Sequence, residues 1–109
     1  ISGIDCVDQA DSNEVSERTV ECLKLNVPDA IPGIAFLSGG QTSDLATEHL
    51  NLMNKNHMSS VPWNLTYSYG RALQADALKA WSGTDRDLGQ ENLLRRAKDN
   101  SLSTKGRFI

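Results

Sequence analysis

A chain of 109 residues has room for about one small domain. Its 39 % apolar and 23 % charged residues suit a soluble globular protein rather than a disordered one, and no apolar run approaches the ~20 residues of a membrane span. A net charge of −3 argues against general nucleic-acid binding while leaving room for a local cationic pocket.

The opening residues lack the basic start and apolar core of a signal peptide, so a cytoplasmic protein is expected. Ile1-Ser2-Gly3 carries no Met, and Gly106-Arg107-Phe108-Ile109 shows no clear terminal element, so a piece of a longer chain is expected. Residues 1–11 read as a polar connection, with Gly3, Asp5, Asp8 and Asp11. A helix begins at Asp11 or Ser12, one of them capping it, with Glu14 placed to complete a capping box. Val15, Thr19, Cys22 and Leu23 share a face, and the helix ends near Asn26, ahead of Pro28. Residues 27–33 form a loop.

Ile34-Ala35-Phe36-Leu37 is an apolar run without alternation, as in a strand covered on both faces in a parallel sheet. Ser38-Gly39-Gly40 lets the backbone turn sharply and leaves its N–H groups clear of side chains. Thr42 or Ser43 caps a second helix over residues 43–55, with Ala46, Leu50 and Met53 as its apolar stripe and Leu45 and Leu52 widening it. Residues 54–60 read as a polar loop. A second strand over residues 64–68 sets Leu65, Tyr67 and Tyr69 against Asn64, Thr66 and Ser68. Asn64-Leu65-Thr66 fits a glycosylation acceptor but reads as the start of this strand. Gly70 and Arg71 then lead into an Ala- and Leu-rich helix to Trp81, with Leu73, Ala77 and Trp81 in line and Gly83 stopping it. A fourth helix, residues 87–100, is amphipathic through Leu88, Leu93, Leu94 and Ala97. Its Arg95, Arg96 and Lys98 suit the negative end of the dipole. The last nine residues read as tail.

Helix, strand, helix, strand, helix, helix, with no hairpin, implies an α/β fold with parallel strands joined by a right-handed crossover. Two parallel strands alone make a poor sheet, which points to further strands beside them. Cys6 and Cys22 allow a disulfide on count, but two reduced, partly buried thiols are the favoured reading. His49 reads as a helix-packing residue and His57 as a loop residue, neither with a partner at metal-ligand spacing.

In a parallel sheet both strand ends lie on one edge, where α/β folds bind ligands. Ser38-Gly39-Gly40 offers a hydroxyl and two amides there, and a strand–glycine–helix junction is the general design of a phosphate cradle. Arg71 offers a planar cationic fork. Each has a plainer reading, which stays open at this point: the glycines as ordinary turn chemistry, and Arg71 as a surface or salt-bridged helix arginine. In a (β/α)8 barrel, the loops after the last two strands often make such a phosphate site.

The runs Ala35-Phe36-Leu37-Ser38-Gly39-Gly40-Gln41 and Thr66-Tyr67-Ser68-Tyr69-Gly70-Arg71-Ala72-Leu73-Gln74, the Pro62-Trp63 pair, and Leu78-Lys79-Ala80-Trp81 resemble the C-terminal part of class I fructose-1,6-bisphosphate aldolase. Arg96-Ala97-Lys98 and Asn100-Ser101-Leu102 are similar to that family's late helix. The resemblance implies that residues 1–109 are part of one (β/α)8 barrel domain, its last two βα units and a terminal helix, with no second domain. It implies that Ser38, Gly39 and Gly40 bind one substrate phosphate, and that Ser68, Gly70 and Arg71 contact the same end of the substrate. The reaction implied is cleavage of fructose 1,6-bisphosphate to glyceraldehyde 3-phosphate and dihydroxyacetone phosphate. A lysine iminium serves as electron sink and a carboxylate removes the hydroxyl proton. No metal and no cofactor are implied, the partner is a sugar bisphosphate, and the parent enzyme is expected to be a homotetramer.

The family's Schiff-base lysine lies on the strand before this segment, and its catalytic carboxylates lie earlier still. Lys24, Lys55, Lys79, Lys98 and Lys105 match none of the family's catalytic positions and read as surface lysines, so the segment alone is expected to be inactive. Its mobile, tyrosine-ended tail is not in this sequence. Two other classes compete with the enzyme reading: a non-catalytic phosphate-binding module that reuses the same turns, and an interaction segment whose apolar faces dock on a partner.

Overall fold

A computed structural model describes residues 1–109. It contains α1 (Ser12–Asn26), β1 (Gly33–Phe36), α2 (Ser43–His57), a 3-10 turn (Met58–Ser60), β2 (Asn64–Tyr67), α3 (Arg71–Trp81) and α4 (Arg86–Ser103). The predicted order holds throughout.

The helix starts follow local capping. The Asp11 carboxylate accepts the Glu14 N–H at 2.8 Å, Thr42 Oγ1 accepts the Leu45 N–H at 3.2 Å, and Asp85 accepts the Leu88 N–H at 3.0 Å. The capping box on α1 is only half made, because the Glu14 carboxylate reaches forward to Arg18 Nε at 3.0 Å. The buried face of α1 is Val15, Ser16 and Val20, and Cys22 lies off it. Both cysteines are free and exposed, not partly buried.

β1 and β2 are parallel, paired Gly33 with Asn64, Ile34 with Leu65, Ala35 with Thr66 and Phe36 with Tyr67. The Ser68 N–H donates to Phe36 O at 2.8 Å and extends the ladder by one bond. Glycine at 33 lets the strands close up there, since a Cβ would sit 3.2 Å from Asn64 O. The expectation that β1 is covered on both faces does not hold. Ile34 and Phe36 pack on the core, Ala35 is exposed, and Leu37 is 73 % exposed just past the strand. Helices cover one face of this two-stranded sheet, and its apolar run alone does not supply a second layer.

The core sits between α2 and the sheet. Val20, Leu50, Met53, Trp63 and Leu65 form one buried cluster, and Ala46, Tyr69 and Ala72 a second nearer the strand ends. Burying Leu50 or Leu65 contributes about 2 kcal/mol each relative to exposure. Trp63 Nε1 donates to Pro28 O at 2.9 Å, tying the loop before β1 to the start of β2.

Three expectations fail for long-range reasons. Helix α2 does not give way to a loop at Asn54 but runs to His57. Asn54 is buried there, and its Nδ2 donates to Leu50 O, Leu65 O and Ser103 O, so the polar residue is an anchor rather than a breaker. In α4 the predicted apolar stripe faces outward, with Leu94 72 % exposed. The buried positions are Gly89, Arg96, Asn100 and Ser103, because Gly89 fits against Trp81 and Arg96 finds two carboxylates. The predicted tail is also docked. Ser101 to Ser103 close α4, the Phe108 N–H donates to Asn51 Oδ1 at 3.0 Å, and Gly106 lies against the Lys55 backbone.

Candidate functional site

Because the strands are parallel and in register, the turn after β1 and the turn after β2 leave the sheet at the same edge. Ser38, Gly39 and Gly40 form the first; Ser68, Tyr69 and Gly70 form the second, with Arg71 opening α3.

The first turn closes through the Gln41 N–H donating to Ser38 O at 3.0 Å, with φ of +58° at Gly39 and +81° at Gly40. Two consecutive residues in the left-handed region are tolerable only because neither has a Cβ. The Gly39 and Gly40 N–H groups donate to no group in the chain, and nor does the Ser38 hydroxyl. Space lies open around both glycines. Thr42 caps α2 by accepting the Leu45 N–H, while the Ser43 and Asp44 N–H groups, like those of the turn, donate to no group in the chain.

The second turn is held from behind. Tyr69 is buried, and its hydroxyl donates to Ala46 O on α2 at 3.0 Å. Burial, and then the neighbouring Tyr67, push the Tyr69 phenol up to about 12, so it stays a neutral donor. Gly70 stands at the N-cap of α3 with no side-chain cap, unlike the residues before the other α-helices. The positive end of α3 is therefore uncapped. Arg71 is exposed and makes no ion pair or hydrogen bond within the chain, so the salt-bridged reading of it fails.

A residue the sequence did not single out completes the first turn. Gln41 Nε2 donates to Ser38 O at 2.7 Å, and Gln41 Oε1 lies 2.6 Å from His49 Nδ1 on α2. His49 is thus a helix-packing residue, as expected. Burial, partly offset by Glu48, lowers its pKa. A cavity of about 240 Å3 behind the turn is lined by Phe36, Gly39, Gln41, Ala46, His49 and Tyr69 among others. A second, of about 790 Å3, runs from Gly39 and Gly40 to residues 1–4. Ser38, Ser68, Gly70 and Arg71 lie outside both.

All five lysines, Lys24, Lys55, Lys79, Lys98 and Lys105, are exposed, and Lys55 Nζ donates to Ile109 O at 3.3 Å. None has the desolvated setting that activates an amine as nucleophile. No group of three or more His, Cys, Asp and Glu side chains is placed to share a metal ion. No helix is long and apolar enough to cross a membrane.

The whole chain, residues 1–109, matches the family model described as glycolytic fructose-bisphosphate aldolase class-I. A probable fructose-bisphosphate aldolase class 1 of Xylella fastidiosa is 48 % identical over 111 aligned residues, which cover 99 % of this chain and 33 % of that protein. Fructose-bisphosphate aldolase 2, chloroplastic, of Pisum sativum is 47 % identical over 98 % of this chain and 30 % of its own length, so the likeness is not confined to cytoplasmic enzymes. The solved structure of fructose-bisphosphate aldolase from Plasmodium falciparum superposes with a TM-score of 0.89 at 42 % identity, covering 99 % of this chain and 31 % of that one. The chain spans about a third of the length of the curated relatives it matches.

Proposed function

We propose, because this chain belongs to the class I fructose-bisphosphate aldolase family, that it supplies the substrate-phosphate site of an enzyme that cleaves fructose 1,6-bisphosphate to glyceraldehyde 3-phosphate and dihydroxyacetone phosphate. In this reading, residues 1–109 are the last two βα units and terminal helix of a (β/α)8 barrel. One phosphate dianion sits between the two turns. The Gly39 and Gly40 amides and the Ser38 hydroxyl donate from one side. Arg71 donates from the other, beside Ser68 and the uncapped start of α3. Gly70 keeps that approach clear of a side chain.

The observation that carries this reading is the shared sheet edge. Free amides follow β1 and an unpaired arginine follows β2, and the parallel pairing of the two strands supports reading them as one site. Anion binding at such an edge needs fixed dipoles and a permanent cation, and each is present.

The chemistry then divides between this segment and the rest of the parent chain. Cleaving a carbon–carbon bond next to a hydroxyl needs a base for the hydroxyl proton and a sink for the electron pair. A lysine amine condenses with the ketone, losing water, and the iminium accepts the pair. The exposed lysines of this segment do not fill that role, so the lysine and the carboxylates belong to the parent chain outside it. The segment holds the ketose by its phosphate and so aligns the scissile bond with the iminium. The parent enzyme is read as a cytoplasmic homotetramer that needs no metal or cofactor.

The test pairs the full-length parent protein with the isolated 109-residue chain. Borohydride reduction in the presence of fructose 1,6-bisphosphate is expected to trap a covalent adduct on the parent, which turns the substrate over. The isolated chain is expected to do neither. A parent that cleaves the bisphosphate without trapping, or an isolated chain that cleaves it, contradicts the assignment.

A further inference from the structure

We propose that Gln41 and His49 are positioning residues for the phosphate turn, acting as a relay from the rigid α2 helix to the Gly39 amide. The inference rests on the phosphate-site reading above and deepens it. The Ser38 carbonyl receives two donors from one residue, the Gln41 backbone N–H at 3.0 Å and its side-chain Nε2 at 2.7 Å. A peptide unit is planar, and its C=O and N–H point in opposite directions. Drawing Ser38 O toward Gln41 therefore turns the Gly39 N–H of the same peptide away from it, where no group of the chain accepts it. Gly39, with a positive φ and no Cβ, lets this peptide rotate at little steric cost, so the side-chain bond adds to the single backbone bond that holds it.

The Gln41 amide is itself oriented. With Nε2 donating to Ser38, its Oε1 is the acceptor, so the proton of the 2.6 Å contact belongs to His49 Nδ1. His49 is buried on α2 between the turns of Ala46 and Met53, with its Nδ1 held on Gln41 Oε1. The relay runs from His49 Nδ1–H to Gln41 Oε1, then from Gln41 Nε2–H to Ser38 O, leaving the Gly39 N–H preset. Presetting the donor removes ordering cost from phosphate binding.

The test uses the full-length parent protein, with inorganic phosphate affinity measured by calorimetry beside KM and kcat for fructose 1,6-bisphosphate. Gln41→Ala is expected to weaken phosphate binding and raise KM about five-fold to ten-fold, with the change falling in KM rather than kcat. Gln41→Glu keeps the length but has no N–H to give Ser38, and is expected to be at least as weak. His49→Phe keeps a ring without a donor and is expected to weaken phosphate about three-fold. His49→Asn, whose Nδ2 overlays the histidine Nδ1, is expected to restore most of that loss. Gln41→Ala and His49→Phe proteins that bind phosphate as tightly as the parent overturn the relay. Losses confined to kcat also overturn it. A parent that binds phosphate but cleaves no bisphosphate overturns the aldolase reading alone and leaves the relay standing on its phosphate affinities.

Discussion

Arg96 Nη2 lies 2.6 Å from Asp76 Oδ2, so a guanidinium on α4 that is only 4 % exposed is bound to a carboxylate on α3. The same nitrogen reaches Asp44 Oδ1 at 2.7 Å, and Arg96 Nη1 reaches Thr47 Oγ1 at 3.1 Å, both on α2. Helix α2 leaves the Ser38–Gly40 turn, and α3 leaves the Gly70–Arg71 turn. One residue thus braces the two helices that carry the two halves of the candidate site. Burial alone would lower the Arg96 pKa, but its hydrogen bonds to Asp76 and Asp44 raise it on balance.

Replacing Arg96 is expected to cost stability in a graded way. Arg96→Met leaves Asp76 with only the 3.8 Å contact to Arg95 and removes the donor to Thr47 Oγ1, and is expected to cost about 2–4 kcal/mol. Arg96→Lys keeps the charge but loses the fork that serves three acceptors, at about 1–2 kcal/mol. Asp44 is exposed, so Asp44→Asn is expected to cost less than about 1 kcal/mol. Urea denaturation midpoints of the full-length protein check the order Met, Lys, Asn.

His49 predicts a pH signature in stability. Burial lowers its pKa in the folded state, so the unfolded chain binds the proton more readily. Its contribution is complete above the unfolded value of about 6.5 and declines as pH falls through the folded value. Between pH 7 and pH 5, the denaturation midpoint of the parent protein is therefore expected to fall more steeply than that of His49→Asn. Parallel pH profiles for the two proteins contradict this.

The parts of this structure that were legible are those written in short-range pattern. Asp11 and Thr42 announce helix starts, the Ser38-Gly39-Gly40 run announces a turn, and the alternation through Leu65, Tyr67 and Tyr69 announces a strand. The same punctuation marks both strand ends of the candidate site, while the phosphate role of their residues rests on the family resemblance. What was not legible depends on partners far along the chain. Arg96 looks like a solvated helix arginine until Asp44 and Asp76 close on it from 52 and 20 residues away. Residues 104–109 look like tail until Asn51 accepts the Phe108 N–H and Lys55 accommodates Gly106. Gln41 belongs to the run that carries the family resemblance, but nothing in the sequence marks its contact with His49, because a glutamine after two glycines becomes a clamp only when a histidine on the next helix turns toward it.

Gly89 is expected to set the spacing of α3 and α4. A Cβ there would lie 2.9 Å from Trp81 Cβ, so Gly89→Ala must push the helices apart or move the indole. The expected cost is about 1–3 kcal/mol despite the better helix propensity of alanine. A changed Trp81 emission spectrum, read in a Trp63→Phe background, reports the displacement. An unchanged spectrum with unchanged stability contradicts the packing described.

Gly106 makes a similar prediction at the docked C-terminal segment. Its φ is +65° and a Cβ would lie 2.7 Å from Lys55 Cα, which is backbone and does not yield. Gly106→Ala is expected to release residues 104–109 from α2, read as faster amide exchange at Phe108 and faster proteolysis in that segment. Exchange at Phe108 equal to that of the unsubstituted protein contradicts it.

The most direct measurement of the central claim is a double-mutant cycle between Ser38→Ala and Arg71→Ala in the full-length protein, reading inorganic phosphate affinity. If the two turns grip one dianion, the substitutions are coupled by about 0.5–3 kcal/mol. Losses that add to within about 0.5 kcal/mol, or an Arg71→Ala protein that binds phosphate as tightly as the parent, would show that the turns share an edge of the sheet but not a ligand.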